Sequence, residues 1–118
     1  MLLDCAESGI KVKDIGEIEG YENYLGKYFV LSTGEVWSNH KGDMMKPYKN
    51  SDGYLIVDLR EGYNRKQVRV HRLVALAFLP NPDNLETVNH KDEDVTNNDL
   101  SNLEWMSVGD NVRYGTGS

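Results

Sequence analysis

The feature that most restricts the fold of this chain is a change of hydrophobic period at residue 71. Upstream, Tyr54-Leu-Ile-Val-Asp-Leu59 alternates like a half-buried strand, Glu61-Gly-Tyr-Asn64 supplies a turn, and Lys66-Gln-Val-Arg-Val70 alternates charged with apolar residues. From His71 the period becomes helical: Leu73, Leu76 and Ala77 fall at i, i+3 and i+4, and Val74 and Phe78 are four apart. Pro80 and Pro82 stop this short amphipathic helix, because proline lacks the N–H a helix needs and clashes with the preceding turn. Strands and a helix that each carry one apolar face must bury those faces together, which points to an α+β fold.

The flanks extend the pattern. Tyr28-Phe-Val-Leu31, a turn at Ser32-Thr-Gly34 and Glu35-Val-Trp-Ser38 read as a hairpin. Residues 1–14 carry weak patterning and read as a loose lead-in. After the helix, Glu86–His90 reads as a short strand, residues 91–99 as a loop rich in Asp and Asn, and Asn102–Met106 as a second strand. Ser107-Val-Gly-Asp110 has the form of a capping box with Asp in its fourth place, opening a short helix that runs to about Tyr114. Repeats and low-complexity tracts are absent. The resulting division is a lead-in over 1–14, a small β-rich module over 15–60, and a second unit over 61–118.

The 118 residues suffice for one domain, or for one domain with a small appendage, and 39% hydrophobic content with a mean hydropathy of −0.59 fits a globular chain. No apolar run approaches the length of a membrane span, so no membrane partner is expected. The opening Met-Leu-Leu-Asp-Cys-Ala-Glu lacks the basic region and long apolar stretch of a signal peptide. The single cysteine, Cys5, excludes an internal disulfide and a cysteine-rich zinc site, and an intracellular protein is expected. The net charge of −6 weighs against nucleic-acid binding, yet it hides an asymmetry. Residues 41–72 carry eight basic and four acidic side chains, a net of +4, and residues 86–118 carry two and seven, a net of −5. That pattern suits a phosphate-facing surface beside a metal site; it also suits an unevenly charged solvated surface.

The chemistry concentrates in Val88-Asn-His-Lys-Asp92 and the asparagines that follow. Hydrolysing a phosphodiester requires a nucleophilic water, a base, and a cation on the phosphate and leaving oxygen. A histidine such as His90 can be the base, since its unperturbed pKa is about 6.5. A hard cation takes oxygen ligands and keeps several waters, so one or two side-chain oxygens suffice when phosphate completes the shell. Asn89, beside His90, and Asn111, on the following helix, can supply them. Asn102 can tie the loop through bonds between its side chain and the backbone, and so hold the carbonyl that orients His90. Arg65, Lys66, Arg69 and Arg72 are either phosphate contacts or the solvated face of a hairpin.

The run Val70-His-Arg-Leu-Val-Ala-Leu-Ala-Phe78, then Asn81-Pro82, Val88-Asn-His-Lys-Asp92, Asn97-Asn98, Asn102-Leu-Glu-Trp105 and Asn111 resembles the HNH endonuclease family. The likeness is greatest to its phage and intron-encoded homing branch, with a ββα-metal (His-Me finger) fold. Ile18-Glu-Gly-Tyr-Glu-Asn-Tyr24 with Tyr28–Ser38 resembles the small nuclease-associated module that often precedes that domain. Together the two likenesses cover about residues 15–115.

The resemblance implies metal-assisted, in-line hydrolysis of double-stranded DNA that leaves a 5′-phosphate and a 3′-hydroxyl. His90 would be the general base. Asn89 and Asn111 would hold one divalent cation, Mg²⁺ or Mn²⁺, and Asn102 would be the loop-fixing asparagine of the motif. His71 would serve packing or a phosphate contact. The setting implied is the cytoplasm of a bacterial host, with the protein encoded by a phage. Two departures stand out. The residue before the base is often Asp in the family and is Asn89 here; a neutral amide holds a hard cation more weakly than a carboxylate does, so Asp92, Asp94 and Asp110 become candidate contributors. Homing members also usually continue into a further DNA-binding module, whereas seven residues follow Asn111, so a homodimer, a phage protein partner or weak sequence preference is expected. The competing reading, motivated by the acidic balance and Asn89, is a weak or inactive acidic binding module of the same fold. It would act as a phage regulator or an inhibitor of a host nuclease.

Overall fold

The computed structural model describes residues 9–109. Strand β1 (Val12–Asp14) is followed by two 3-10 turns, Ile15–Glu17 and Glu22–Tyr24, then β2 (Tyr28–Leu31), β3 (Val36–Ser38) and β4 (Asp43–Met44). These four strands form an antiparallel sheet in sequential order, with Val30 opposite both Lys13 and Val36. The lead-in thus contributes an edge strand, which its weak alternation did not announce. Asp14 secures the join: its carboxylate accepts from Gly16 N and Gly26 N, each at 2.9 Å.

Strands β5 (Tyr48–Lys49), β6 (Leu55–Glu61) and β7 (Asn64–Arg69) form a second antiparallel sheet. The β6–β7 hairpin has six consecutive pairs, from Ile56↔Arg69 to Glu61↔Asn64. The division at residue 60 therefore runs through a hairpin. β7 passes directly into α1 (Val70–Phe78), which buries Val70, His71, Leu73, Val74 and Ala75. Leu79 closes the helix one residue before Pro80. Strands β8 (Thr87–His90) and β9 (Leu103–Met106) form a two-stranded antiparallel ribbon, and residues 108–109 are helical where the description ends. The rest of the helix expected to Tyr114, together with Cys5, Asp110 and Asn111, lies outside the described residues.

One apolar core joins these pieces. Ile15 from the first 3-10 turn and Tyr28 and Val30 from the first sheet pack in the same cluster as Leu59, Leu73 and Leu103. The Tyr28 hydroxyl accepts from Arg60 N at 2.9 Å and so pins the first sheet to the β6–β7 hairpin. Trp105 Nε1 donates to Leu79 O at 3.1 Å and fixes β9 against the end of α1. Among the described residues, no helix is long and apolar enough to cross a membrane.

Candidate active site

The ribbon sets the site. Its register places Asn89 opposite Glu104 and His90 opposite Leu103. Strand geometry sends neighbouring side chains to opposite faces, so Asn89 and His90 find different partners. His90 turns inward and is 2% exposed. Its ring centroid lies 4.8 Å from that of His71 on α1 and 6.0 Å from that of Tyr54, just before β6. His71 and Tyr54 stack at 5.1 Å with an interplanar angle of 28°. Three elements distant in sequence thus supply three packed rings.

Asn98 completes this cluster. It is buried, and its Oδ1 lies 2.8 Å from His90 Nε2. An amide oxygen can only accept, so it selects the Nε2–H tautomer of a neutral imidazole, the one with its lone pair on Nδ1. The sequence suggested a loop former at Asn98, with a backbone carbonyl orienting His90. The side-chain contact is not visible in the pattern Asn97-Asn98, because nothing in two adjacent asparagines says which one turns inward.

Asn102 ties the loop through its side chain. Its Oδ1 accepts from Asp92 N at 3.1 Å, and its Nδ2 donates to Asn97 O and to Asp92 Oδ1, both at 2.9 Å. Its backbone oxygen accepts from Lys91 N at 2.8 Å. One buried side chain thereby closes the loop from His90 to β9. Asp92 and Asp94 belong to the same scaffold. Asp92 also accepts from Asp94 N and from Asn97 Nδ2, and Asp94 accepts from the amide and hydroxyl of Thr96. The Asn97 amide, the Asp94 N–H and the Asn102 amide hold the Asp92 carboxyl below its usual range, and the Thr96 hydroxyl and N–H do the same for Asp94. These carboxylates are engaged in shaping the loop.

Asn89 is buried and donates from Nδ2 to Glu104 Oε2 at 2.9 Å. A carbonyl-oxygen donor with a carboxylate beside it is the type of environment a hard divalent cation accepts. Among the described residues no three His, Cys, Asp or Glu side chains gather into a metal-binding group, so oxygens from outside this set would complete a coordination shell.

His71 was expected as packing or as a phosphate contact, and it lies inside, 2% exposed. Its Nδ1 has no hydrogen-bond partner among the described residues. Burial, then the proximity of His90, Arg69 and Arg72, lowers its pKa to about 3, so it is neutral at ordinary pH. Its place is within the ring stack, away from the surface a phosphate would touch. The other basic candidates do line an outer face. Lys66, Arg69 and Arg72, with Tyr21, Asn50 and Gln67, border an open groove of about 420 Å³. Lys66 Nζ sits 4.5 Å above the Tyr21 ring, and the Arg69 guanidinium sits 5.3 Å above Tyr54. Arg72 lies 5.6 Å from the Trp105 ring and donates to Glu86 O at 2.8 Å. Arg65 stands apart, 3.7 Å from Asp58 Oδ2. Tyr54 links the two regions, since its ring contacts Arg69 as well as both histidines.

Residues 68–113 match the family model described as HNH endonuclease. The DNA endonuclease I-HmuI of Bacillus phage SP01 is 40% identical over 96 residues, which are 81% of this chain and 53% of that protein. The H-N-H endonuclease F-TflII of Escherichia phage T5 is 30% identical over 103 residues, 86% of this chain and 51% of that protein. An uncharacterized HNH endonuclease of Acanthamoeba polyphaga mimivirus is 37% identical over 95 residues, 80% of this chain and 28% of that protein. A solved structure of the HNH homing endonuclease I-HmuI, titled for its DNA binding and cleavage, superposes with a TM-score of 0.73 at 35% identity, covering 92% of this chain and 61% of that one. This chain therefore spans from about a quarter to about half the length of these curated relatives. By motif, fold and likeness along most of its length, the chain belongs to the HNH endonuclease family.

Proposed function

We propose that this chain cleaves double-stranded DNA by metal-dependent hydrolysis of a phosphodiester, with His90 as the general base. The observation that carries this reading is the buried bond from His90 Nε2–H to Asn98 Oδ1. It leaves Nδ1 as the ring atom able to take a proton from a water. Asn89 and Asn111 would hold one divalent cation, Mg²⁺ or Mn²⁺, with Glu104 setting the orientation of the Asn89 amide. Bound there, the cation would stabilise charge on the phosphate and leaving oxygen.

The remaining work falls to the protein's own groups. Asn102 keeps the loop closed so that His90 and Asn98 stay in register. Lys66, Arg69 and Arg72, with Arg65 at the margin, would contact backbone phosphates along the groove, which positions the duplex without reading its sequence. Supercoiled plasmid incubated with the protein and Mg²⁺, Mn²⁺ or EDTA tests the reading. Nicking or linearisation is expected only with a metal, and His90→Ala should lose it while its circular dichroism spectrum stays unchanged. Cleavage surviving in His90→Ala would remove His90 from the role. The net charge of −6 supports the competing reading, an acidic binding module; DNA or partner binding by a folded wild type that never cleaves would favour it.

A further inference from the structure

We propose that the turn between β2 and β3, far from the motif in sequence, is a positioning device for the catalytic histidine: Gly34 seats Asn98, and Asn98 sets the tautomer and tilt of His90. This rests on the reading of His90 as the base.

Asn97 and Asn98 are adjacent and chemically identical, yet they behave differently. Asn97 is exposed and staples the loop through Asp92. Asn98 is buried, spends its oxygen on His90, and leaves Nδ2 without a hydrogen-bond partner among the described residues. Burying half an amide unsatisfied is unfavourable, so something must hold the side chain in place. The β2–β3 turn is in contact with it. Gly34 has φ +95, and a Cβ built on it would lie 2.8 Å from Asn98 O, 2.9 Å from Asn98 C and 3.0 Å from Asn98 Cβ. Both the left-handed backbone and the close approach require glycine here. Two residues on either side, Leu100 N donates to Ser32 O at 2.7 Å and binds the loop to the same turn. Residues 32–34 lie outside the 68–113 segment that matches the family model. The turn and the catalytic loop therefore form one mechanical unit.

The test reads the His90 ring directly, by long-range ¹H–¹⁵N correlation on histidine-labelled protein without metal or DNA. The wild type should show a single neutral tautomer protonated on Nε2. Asn98→Ala should mix the two tautomers and lower kcat about 10- to 100-fold with KM within about twofold. Asn98→Asp, which keeps an acceptor, should restore the Nε2–H form. Gly34→Ala should shift the ring signals in the direction of Asn98→Ala. Should it fail to fold, replacing Leu100 by its α-hydroxy acid deletes the N–H donated to Ser32 O and asks the same question more gently. A wild-type ring protonated on Nδ1 would overturn the proposal, as would an Asn98→Ala protein with unchanged ring signals. Ring signals unmoved in both turn variants would remove the turn from it. These spectra do not depend on cleavage, so an inactive wild type would count against the proposed function and leave the positioning result to be read separately.

Discussion

The outer groove and the pocket behind it handle polar groups in opposite ways. In the groove, Lys66, Arg69 and Arg72 keep contact with water and set their charged ends over the rings of Tyr21, Tyr54 and Trp105. In the pocket, His71, His90 and Asn98 are buried, and geometry replaces charge. Long flexible cations suit a ligand whose phosphates repeat along its length, because any of several positions will do. A proton transfer requires one atom in one place, which a rigid set of rings and amides provides. The two regions meet at Tyr54, whose ring contacts Arg69 of the groove and both histidines of the pocket.

The contrast can be broken most severely at Asn102. Asn102→Ala removes three side-chain bonds from the loop, so it should lower stability by about 3 kcal/mol in urea unfolding and reduce cleavage by ~100-fold or more. Next in size is an acid sensitivity from the pocket. His71 is held neutral with a pKa of about 3, against about 6.5 unfolded, so below pH 6.5 the unfolded chain takes up a proton that the folded one refuses. Stability from this group is complete above pH 6.5 and falls with pH towards 3. Urea titrations between pH 6.5 and 4.5 should show a loss of roughly 2 kcal/mol that His71→Phe lacks. An equal slope in both proteins would mean that His71 is not the group responsible.

The groove should respond differently. Arg69→Ala and Arg72→Ala should each weaken duplex binding about tenfold, equally for unrelated sequences, and flatten the salt dependence by about one unit of slope. Fluorescence anisotropy across a salt series measures both quantities, and a sequence-dependent loss would mean that these residues read bases. The smallest expected effect concerns Asn89. Asn89→Asp places a carboxylate against Glu104, so the metal-free melting temperature should fall by a few degrees. Added Mg²⁺ or Mn²⁺ should recover it, with several-fold tighter binding by calorimetry. No gain in metal affinity would take Asn89 out of the ligand set.

Much of this organisation is written in local pattern. Alternation up to Val70 and helical spacing after it determine β6, β7 and α1, since each element needs one apolar face. The two prolines end the helix because neither can continue it. The loop role of Asn102 is legible too, because it needs only a short loop and an amide within reach of its backbone. Tertiary structure alone decided the inner shell. That Asn98 and not Asn97 meets His90, that His71 stacks on Tyr54 inside the protein, that Asn89 faces Glu104, and that Gly34 lies against Asn98 all depend on contacts between separate elements. The choice between equivalent side chains is made by the shape of the core that the sheets and helix form together, and periodicity along one segment carries no record of that shape.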